Sequence, residues 1–404
     1  MEIEMMKDDN DPLMGDALRL TQAGRLAEAT ALIQRRLGGV RIPPGSKAEQ
    51  AGESKRMDAM FQVGADPAKS IGAPPSSVEA RPRTFARAVH PGLLPGRAGI
   101  RAARRHVAAE AVAPAVGRWI DGTCTDAAGT RAYKLYVPSG YQGKPLPLVV
   151  MLHGCTQYPD DFAAGTAMNF RAEEDGFFVV YPAQAETANA SKCWNWFQAA
   201  DQRRDQGEPA LIAAITRQVI GEYQLDAGRV YVAGLSAGGA MAAIMAATYP
   251  DLYAAVGVHS GLAPGSAHDL PSAFQAMKHG APATIPGAGQ AVPLILFHGD
   301  RDPTVHPCNA DHLVRHWNAV GMGTSAVLAP TVTARPGQKA GERDATCAIH
   351  RTARRRILVE HWTVHGAGHA WSGGTSNGSH TDPNGPDASR EMVRFFHEHP
   401  APKR

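Results

Sequence analysis

The chain has 404 residues, of which 44% are hydrophobic and 20% charged, with a formal net charge of +3. Those proportions are ordinary for a globular protein, and so mild a charge argues against nucleic acid as a partner. No apolar run approaches the roughly 18 residues of a membrane-spanning helix. The opening stretch, MEIEMMKDDNDPLMGDALRL, is acidic and lacks an apolar core, so it is not a recognisable secretory signal. From Asp16 to Leu37, Leu18, Leu20, Leu26, Ala29, Leu32, Ile33 and Leu37 recur at helical spacing, and Gly38-Gly39 ends the pattern. Residues 1–39 therefore read as one amphipathic helix.

Over residues 40–115 the periodicity dissolves into Pro, Gly, Ala, Ser and Arg, the composition of a disordered linker. Arg81, Arg83, Arg87, Arg97, Arg101, Arg104 and Arg105 lie there with no acid between Glu79 and Glu110. They read as a solvated basic stretch, with contact to an anionic surface as the alternative.

The pattern changes near Gly117, and residues 116–404 read as one domain. RWIDGTCTD and RAYKLYVPSGY predict an antiparallel strand pair turning at Asp126 to Gly129. Then come a strand in LPLVVMLHG, a helix over DDFAAGTAMNFRAEEDG, and a strand in FFVVYP. A helix follows over EPALIAAITRQVIGEY, with Pro209 in its first turn. RVYVAGLS predicts a strand leading into the helix AGGAMAAIMAATY. YAAVGVHSG, VPLILFHGD and RRILVEHWTVHG predict further strands, and ADHLVRHWNAV and ASREMVRFFHEH predict helices. Continuous apolar strands alternating with helices imply a mostly parallel sheet covered on both faces.

In the stretch GLSAGG, Ser236 sits where a strand must reverse into a helix, with Gly234 and Gly238 two residues to either side. A nucleophile held at the tip of such a turn leaves no room for side chains at those two positions. The turn lacks the third glycine of a dinucleotide-binding loop and the Gly-Lys of a phosphate loop. A serine hydroxyl needs a base, and the base needs an orienting carboxylate. In α/β-hydrolases these follow in the order Ser, Asp or Glu, His. Asp302 lies just past the strand in LILFHGDRDPTV, with Asp300 as the alternative and a turn-forming role as its bland reading.

His369 lies in a glycine-flanked loop beyond the strand that carries His361 and His365. Those three histidines are four apart, but the strand pattern and Gly366 and Gly368 exclude a helical metal face. His312 and His316 read as surface histidines without the context of a metal motif. The N–H groups of Ala237 and Cys155, the latter in His153-Gly154-Cys155, are the candidate oxyanion donors. None of the five cysteines forms a C-x-x-C pair, so neither zinc nor a thioredoxin-like site is expected.

The stretches LHGCTQ, CWNWF, GLSAGGAMAA, HGDRDPTV and GHAWSGG together resemble the poly(3-hydroxybutyrate) depolymerase-type esterases, a group bordering on feruloyl and acetyl-xylan esterases. The resemblance implies an α/β-hydrolase fold, Ser236, Asp302 and His369 as a triad, and cleavage of carboxylic esters without a cofactor or metal. It implies an extracellular location, although no leader pattern and no C-terminal substrate-binding module are visible in the chain. The substrate would be a 3-hydroxybutyrate oligomer or polymer, or another small ester.

Trp194, Trp196 and Trp371 lie beside these motifs and are candidates for an apolar acyl or aromatic pocket, with core packing as the plain alternative. A Cys155–Cys193 bridge would pin the oxyanion loop, and a Cys308–Cys347 bridge would tie the segment after Asp302. Sequence alone leaves that pairing open. It also leaves open an acyltransferase, in which an alcohol replaces water, and a non-catalytic binding protein on the same fold.

Overall fold

A computed structural model describes residues 117–283, 291–322 and 326–402. The expected helix at 16–37 and linker at 40–115, with its arginines, lie outside the described residues. The strands of the main sheet are β1 (Arg118–Asp126), β2 (Gly129–Val137), β3 (Leu148–Leu152), β4 (Phe178–Pro182), β5 (Val230–Leu235), β6 (Ala255–His259), β7 (Leu294–Gly299), β8 (Thr331–Arg335), β9 (Ala345–Arg351) and β10 (Ile357–Val364). They form a 10-stranded sheet in the order β1-β2-β4-β3-β5-β6-β7-β10-β9-β8. From β4 to β10 all neighbours are parallel, and the pairs at both ends are antiparallel.

Every residue of β3, β4, β5, β6 and β7 is buried, as expected for strands covered on both faces. Alternate side chains serve opposite layers. Val150, Val232, Val258 and Leu296 join the side chains of α3 (Gly207–Tyr223), α4 (Ala237–Thr248) and α6 (Cys308–Met322). Val149, Tyr231, Ile295 and Phe297 join those of α1 (Pro159–Thr166), α2 (Met168–Asp175) and α7 (Ala388–Glu398). Helix α5 (Leu270–His279) starts with a reciprocal cap in which the Asp269 side chain accepts from Ser272 N–H. The α/β-hydrolase architecture read from the sequence is the one observed.

Three local expectations differ. The helix expected over 160–176 is broken into α1 and α2 at Ala167, whose φ is +52°. There the Thr166 carbonyl accepts from Ser389 Oγ (2.6 Å), a tertiary partner invisible in local sequence. Strands β8 and β9 were not expected: β8 is exposed at every residue and has no buried alternation to announce it. The expected Cys308–Cys347 bridge does not exist, and both thiols are free. Cys308 opens α6 on one face of the sheet, while Cys347 packs with Trp362 in the layer on the other face.

Two glycines test this packing. A Cβ on Gly257 in β6 would lie 2.8 Å from Met392 Sδ and 3.0 Å from Ala233 Cβ, whereas one on the exposed Gly221 in α3 would meet nothing. Gly257→Val should lower the unfolding free energy by about 1–3 kcal/mol through overpacking. Gly221→Ala should raise it by about 0.5–1 kcal/mol through helix propensity. Denaturant unfolding of both variants measures this, and the opposite ranking would contradict the packing described.

Candidate active site

The sharp turn at Ser236 follows from a close approach of backbones. A Cβ on Gly238 would stand 2.0 Å from the Leu152 carbonyl oxygen and 2.5 Å from that of His153. One on Gly234 would stand 2.3 Å from the Gly238 oxygen and 2.8 Å from that of Leu152. Both positions therefore require glycine, as the spacing around Ser236 suggests. Ser236 has φ +58° and ψ −119°, a conformation outside the favoured regions that costs on the order of 1–3 kcal/mol. The surroundings hold it: Ser236 N–H donates to the His259 carbonyl at 2.9 Å, and Ser236 O accepts from Ala240 N–H at 2.9 Å.

The end of β3 runs beside this turn, where a Cβ on Gly154 would lie 3.6 Å from Ser236 Cβ. Among the described residues, neither Cys155 N–H nor Ala237 N–H has a hydrogen-bond acceptor. Gln157 shapes this loop, accepting from Gly154 N–H at 3.0 Å and donating to Asp161 Oδ2 at 2.9 Å. A Cys155–Cys193 disulfide joins it to a segment 38 residues on. Thr156 N–H also donates to the Ser191 carbonyl at 2.7 Å.

Asp302 and His369 meet directly, with His369 Nδ1 donating to Asp302 Oδ2 at 2.8 Å. Asp302 Oδ1 accepts from Thr304 N–H and Val305 N–H, each at 2.9 Å. The Asp302 side chain is 0% exposed and that of His369 8%. Burial alone would raise the Asp302 pKa, but the charge and hydrogen bond of His369, helped by His298 and the backbone donor, hold it down at about 2. His298 donates from Nε2 to the Val305 carbonyl at 2.8 Å, which closes the acid loop, and its burial keeps it neutral.

Asp300 has a different duty. It accepts from His365 Nδ1 at 2.9 Å and from Gly366 N–H at 2.7 Å, tying the acid loop to the loop that carries His369. Ser236 reaches that loop through His259. The His259 carbonyl holds Ser236 N–H, and its Nε2 accepts from Ser372 N–H at 3.0 Å. Burial lowers the His259 pKa to about 3 and keeps it neutral. His361 lies in β10, is likewise neutral by burial, and takes no part in this cluster.

The tryptophans occupy packing positions. Trp371 is 1% exposed, stacks on His259 at 5.2 Å and donates to Ser389 Oγ at 3.1 Å. Trp194 is wholly buried near His153, and Trp196 meets Phe197 edge to face at 5.8 Å. Behind them lies a buried polar cluster that sequence reading missed. Glu208, the second residue of α3, accepts from Asn195 N–H at 2.7 Å, from Asn195 Nδ2 at 2.9 Å and from Gln184 Nε2. Burial pushes its carboxyl up to about 7, with Asp201 adding to the rise and the N–H donors and Arg131 opposing it. The signal available for His259 and His298 was a histidine closing an apolar strand; for Glu208 no comparable local signal exists.

Comparison with known proteins gives the family. The family model described as Esterase PHB depolymerase matches residues 131–333. Poly(3-hydroxyalkanoate) depolymerase C of Paucimonas lemoignei is 34% identical over 248 residues, covering 58% of this chain and 57% of the depolymerase. The chain thus spans little more than half the length of that relative. Feruloyl esterase B of Neurospora crassa is 34% identical over 203 residues, 46% of this chain and 68% of the esterase. An acetyl xylan esterase structure from Aspergillus awamori shares the fold, with a TM-score of 0.54 and 22% identity over 69% of this chain and 99% of its own. With its strained serine turn, its buried Asp302 and the family match across the central strands, the chain belongs to the PHB depolymerase esterase family.

Proposed function

We propose that this chain is a serine carboxylic-ester hydrolase in which Ser236 is the nucleophile, His369 the general base and Asp302 its orienting carboxylate. The observation that carries the reading is the buried Asp302–His369 hydrogen bond of 2.8 Å on the sheet edge that also carries the strained Ser236. With Nδ1 donating to Asp302, the His369 Nε2 is the nitrogen left to take a proton.

His369 removes the Ser236 hydroxyl proton as the oxygen bonds to the ester carbonyl carbon. The carbonyl oxygen becomes negative and lies against Ala237 N–H, at the start of α4, and Cys155 N–H, in the loop after β3. Collapse of that intermediate expels the alcohol, which takes the proton from His369. Water, giving a proton to His369, then attacks the acyl carbon, and as the acyl–oxygen bond breaks His369 returns that proton to Ser236 Oγ, releasing the acid. Asp302 remains ionised throughout and stabilises the imidazolium.

For the substrate we propose a short-chain ester, with 3-hydroxyalkanoate esters first because a named poly(3-hydroxyalkanoate) depolymerase aligns over 58% of the chain. Feruloyl and acetyl esters are the competing arm, since relatives bearing those names align over 46% of it. A panel of 3-hydroxybutyrate oligomers, p-nitrophenyl acetate and butyrate, and a feruloyl ester ranks these by kcat/KM. Added alcohol separates hydrolysis from acyl transfer by product.

Ser236→Ala should abolish turnover of p-nitrophenyl butyrate while circular dichroism stays native; retained turnover would refute the assignment. Asp302→Asn should lower kcat by about 10⁴-fold, because the imidazole loses its orienting acceptor. The same residue has a stability signature. Its carboxyl is held below its unfolded value, so its contribution is fully present above about pH 4 and is lost as pH falls through about 2. The stability gap between wild type and Asp302→Asn should therefore shrink by on the order of 2 kcal/mol on acidification from pH 5 to 2. A gap that widens on acidification would contradict this.

A further inference from the structure

Glu208 is 3% exposed, and the ester chemistry above does not use it. Burying a carboxylate costs several kcal/mol unless its surroundings compensate. All its side-chain partners are donors: Asn195 N–H at 2.7 Å on one oxygen, and Asn195 Nδ2 at 2.9 Å with Gln184 Nε2 on the other. A glutamine there would turn an NH₂ group toward N–H donors, so an acid is the group of this size that accepts all three. The Asp201 carboxylate does not compete for these donors, because it accepts Glu208's own N–H at 2.7 Å.

From Glu208 two connected routes lead to the same peptide. On the first, Gln184 N–H donates to His153 Nε2 at 3.1 Å, and His153 Nδ1 donates to the Gly154 carbonyl at 2.8 Å. That carbonyl belongs to the peptide whose N–H is that of Cys155. Arg131 steadies this route by donating from Nη1 to Gln184 Oε1 at 2.6 Å. On the second route, Asn195 lies two residues beyond Cys193, which is bonded to Cys155. Gln184 Nε2 also joins the two routes by donating to the Cys193 carbonyl at 2.8 Å.

We infer that Glu208 is a positioning residue for the oxyanion hole: it fixes the Gly154–Cys155 peptide through Gln184 and His153 on one side and through Asn195 and the disulfide on the other. This rests on the proposed esterase mechanism. A positioning role makes a demand that packing alone does not: the loss must fall on the state that bears the negative oxygen, not on substrate binding.

The test uses the full chain at pH 8. For Glu208→Gln, kcat and KM for p-nitrophenyl butyrate are measured separately, with the Ki of an alkyl trifluoromethyl ketone, which forms an oxyanionic adduct with a serine hydroxyl. The expected result is a fall in kcat on the order of 10²-fold, the scale of a displaced oxyanion donor. KM should stay within about twofold, and ketone affinity should fall in parallel with kcat.

Ile212→Val, a packing change in the same helix, should lower Tm and leave kcat unchanged. If Glu208→Gln does not fold, Asn195→Ala, which cuts the second route, must show the same division between kcat and KM. Unchanged kcat with a lowered Tm, or a loss confined to KM, would overturn the inference. Failure of the esterase reading itself would appear separately, as turnover surviving Ser236→Ala.

Discussion

The approach of the α4 N-terminus to the end of β3 is the constraint on which the site depends. Without side chains at Gly234 and Gly238, the first turn of α4 lies against the Leu152 and His153 carbonyls. That contact drives Ser236 into its uncommon conformation and brings the Ala237 and Cys155 peptides to the same edge. It also explains the composition of α4. A helix buried from Ala237 to Ala246 and rich in alanine can lie closer to the sheet than one with larger side chains. The strain at Ser236 persists because the surrounding structure over-determines it, above all through the His259 carbonyl.

A second theme is the neutrality of the buried histidines. His153, His259 and His361 have pKa values lowered by burial to about 4, 3 and 4, and His298 is lowered as well. At neutral pH they act as shaped dipoles, and His153, His259 and His298 have hydrogen-bonding patterns set by their partners. The ionised Asp302 therefore faces a surround in which His369 is its closest imidazole, at 2.8 Å against 3.6 Å for His298. The carboxylate of Asp302 thus acts on His369 more directly than on His298, while Asp300 accepts from His365 and Gly366 N–H instead.

The sheet and the residues at its edge were legible in the sequence because they obey local rules. Uninterrupted apolar runs announce doubly covered strands, and a serine between two obligatory glycines announces a crowded turn. Asp302 and His369, singled out by chain order and by their places just past strands, lie in contact. What escaped was set by tertiary partners. The break at Ala167 depends on Ser389, more than 200 positions away, and β8 carries no buried face at all. Cys308 and Cys347 look pairable in a list of cysteines and stand on opposite faces of the sheet. Trp194 and Trp371 lie next to functional motifs, yet their rings fill the core. Adjacency in sequence to a reactive residue says little about which way a side chain points.

Strand β10 pairs in parallel with β7 from Val359 to Val364, opposite Leu294 to Gly299. The loops bearing Asp302 and His369 thus leave the sheet from neighbouring strands in matched register, whatever the chain does between them. The intervening β8 and β9 hang from the far side of β10. The contact between Asp302 and His369, 67 positions apart in sequence, is in this way set first by the pairing of β7 with β10. The hairpin still meets the loop that carries His369, because Arg343 Nη1 donates to the Gly366 carbonyl and the Asp344 carbonyl accepts from His365 N–H, each at 2.9 Å, so its outer strand β8 can vary more freely than the residues beside Gly366.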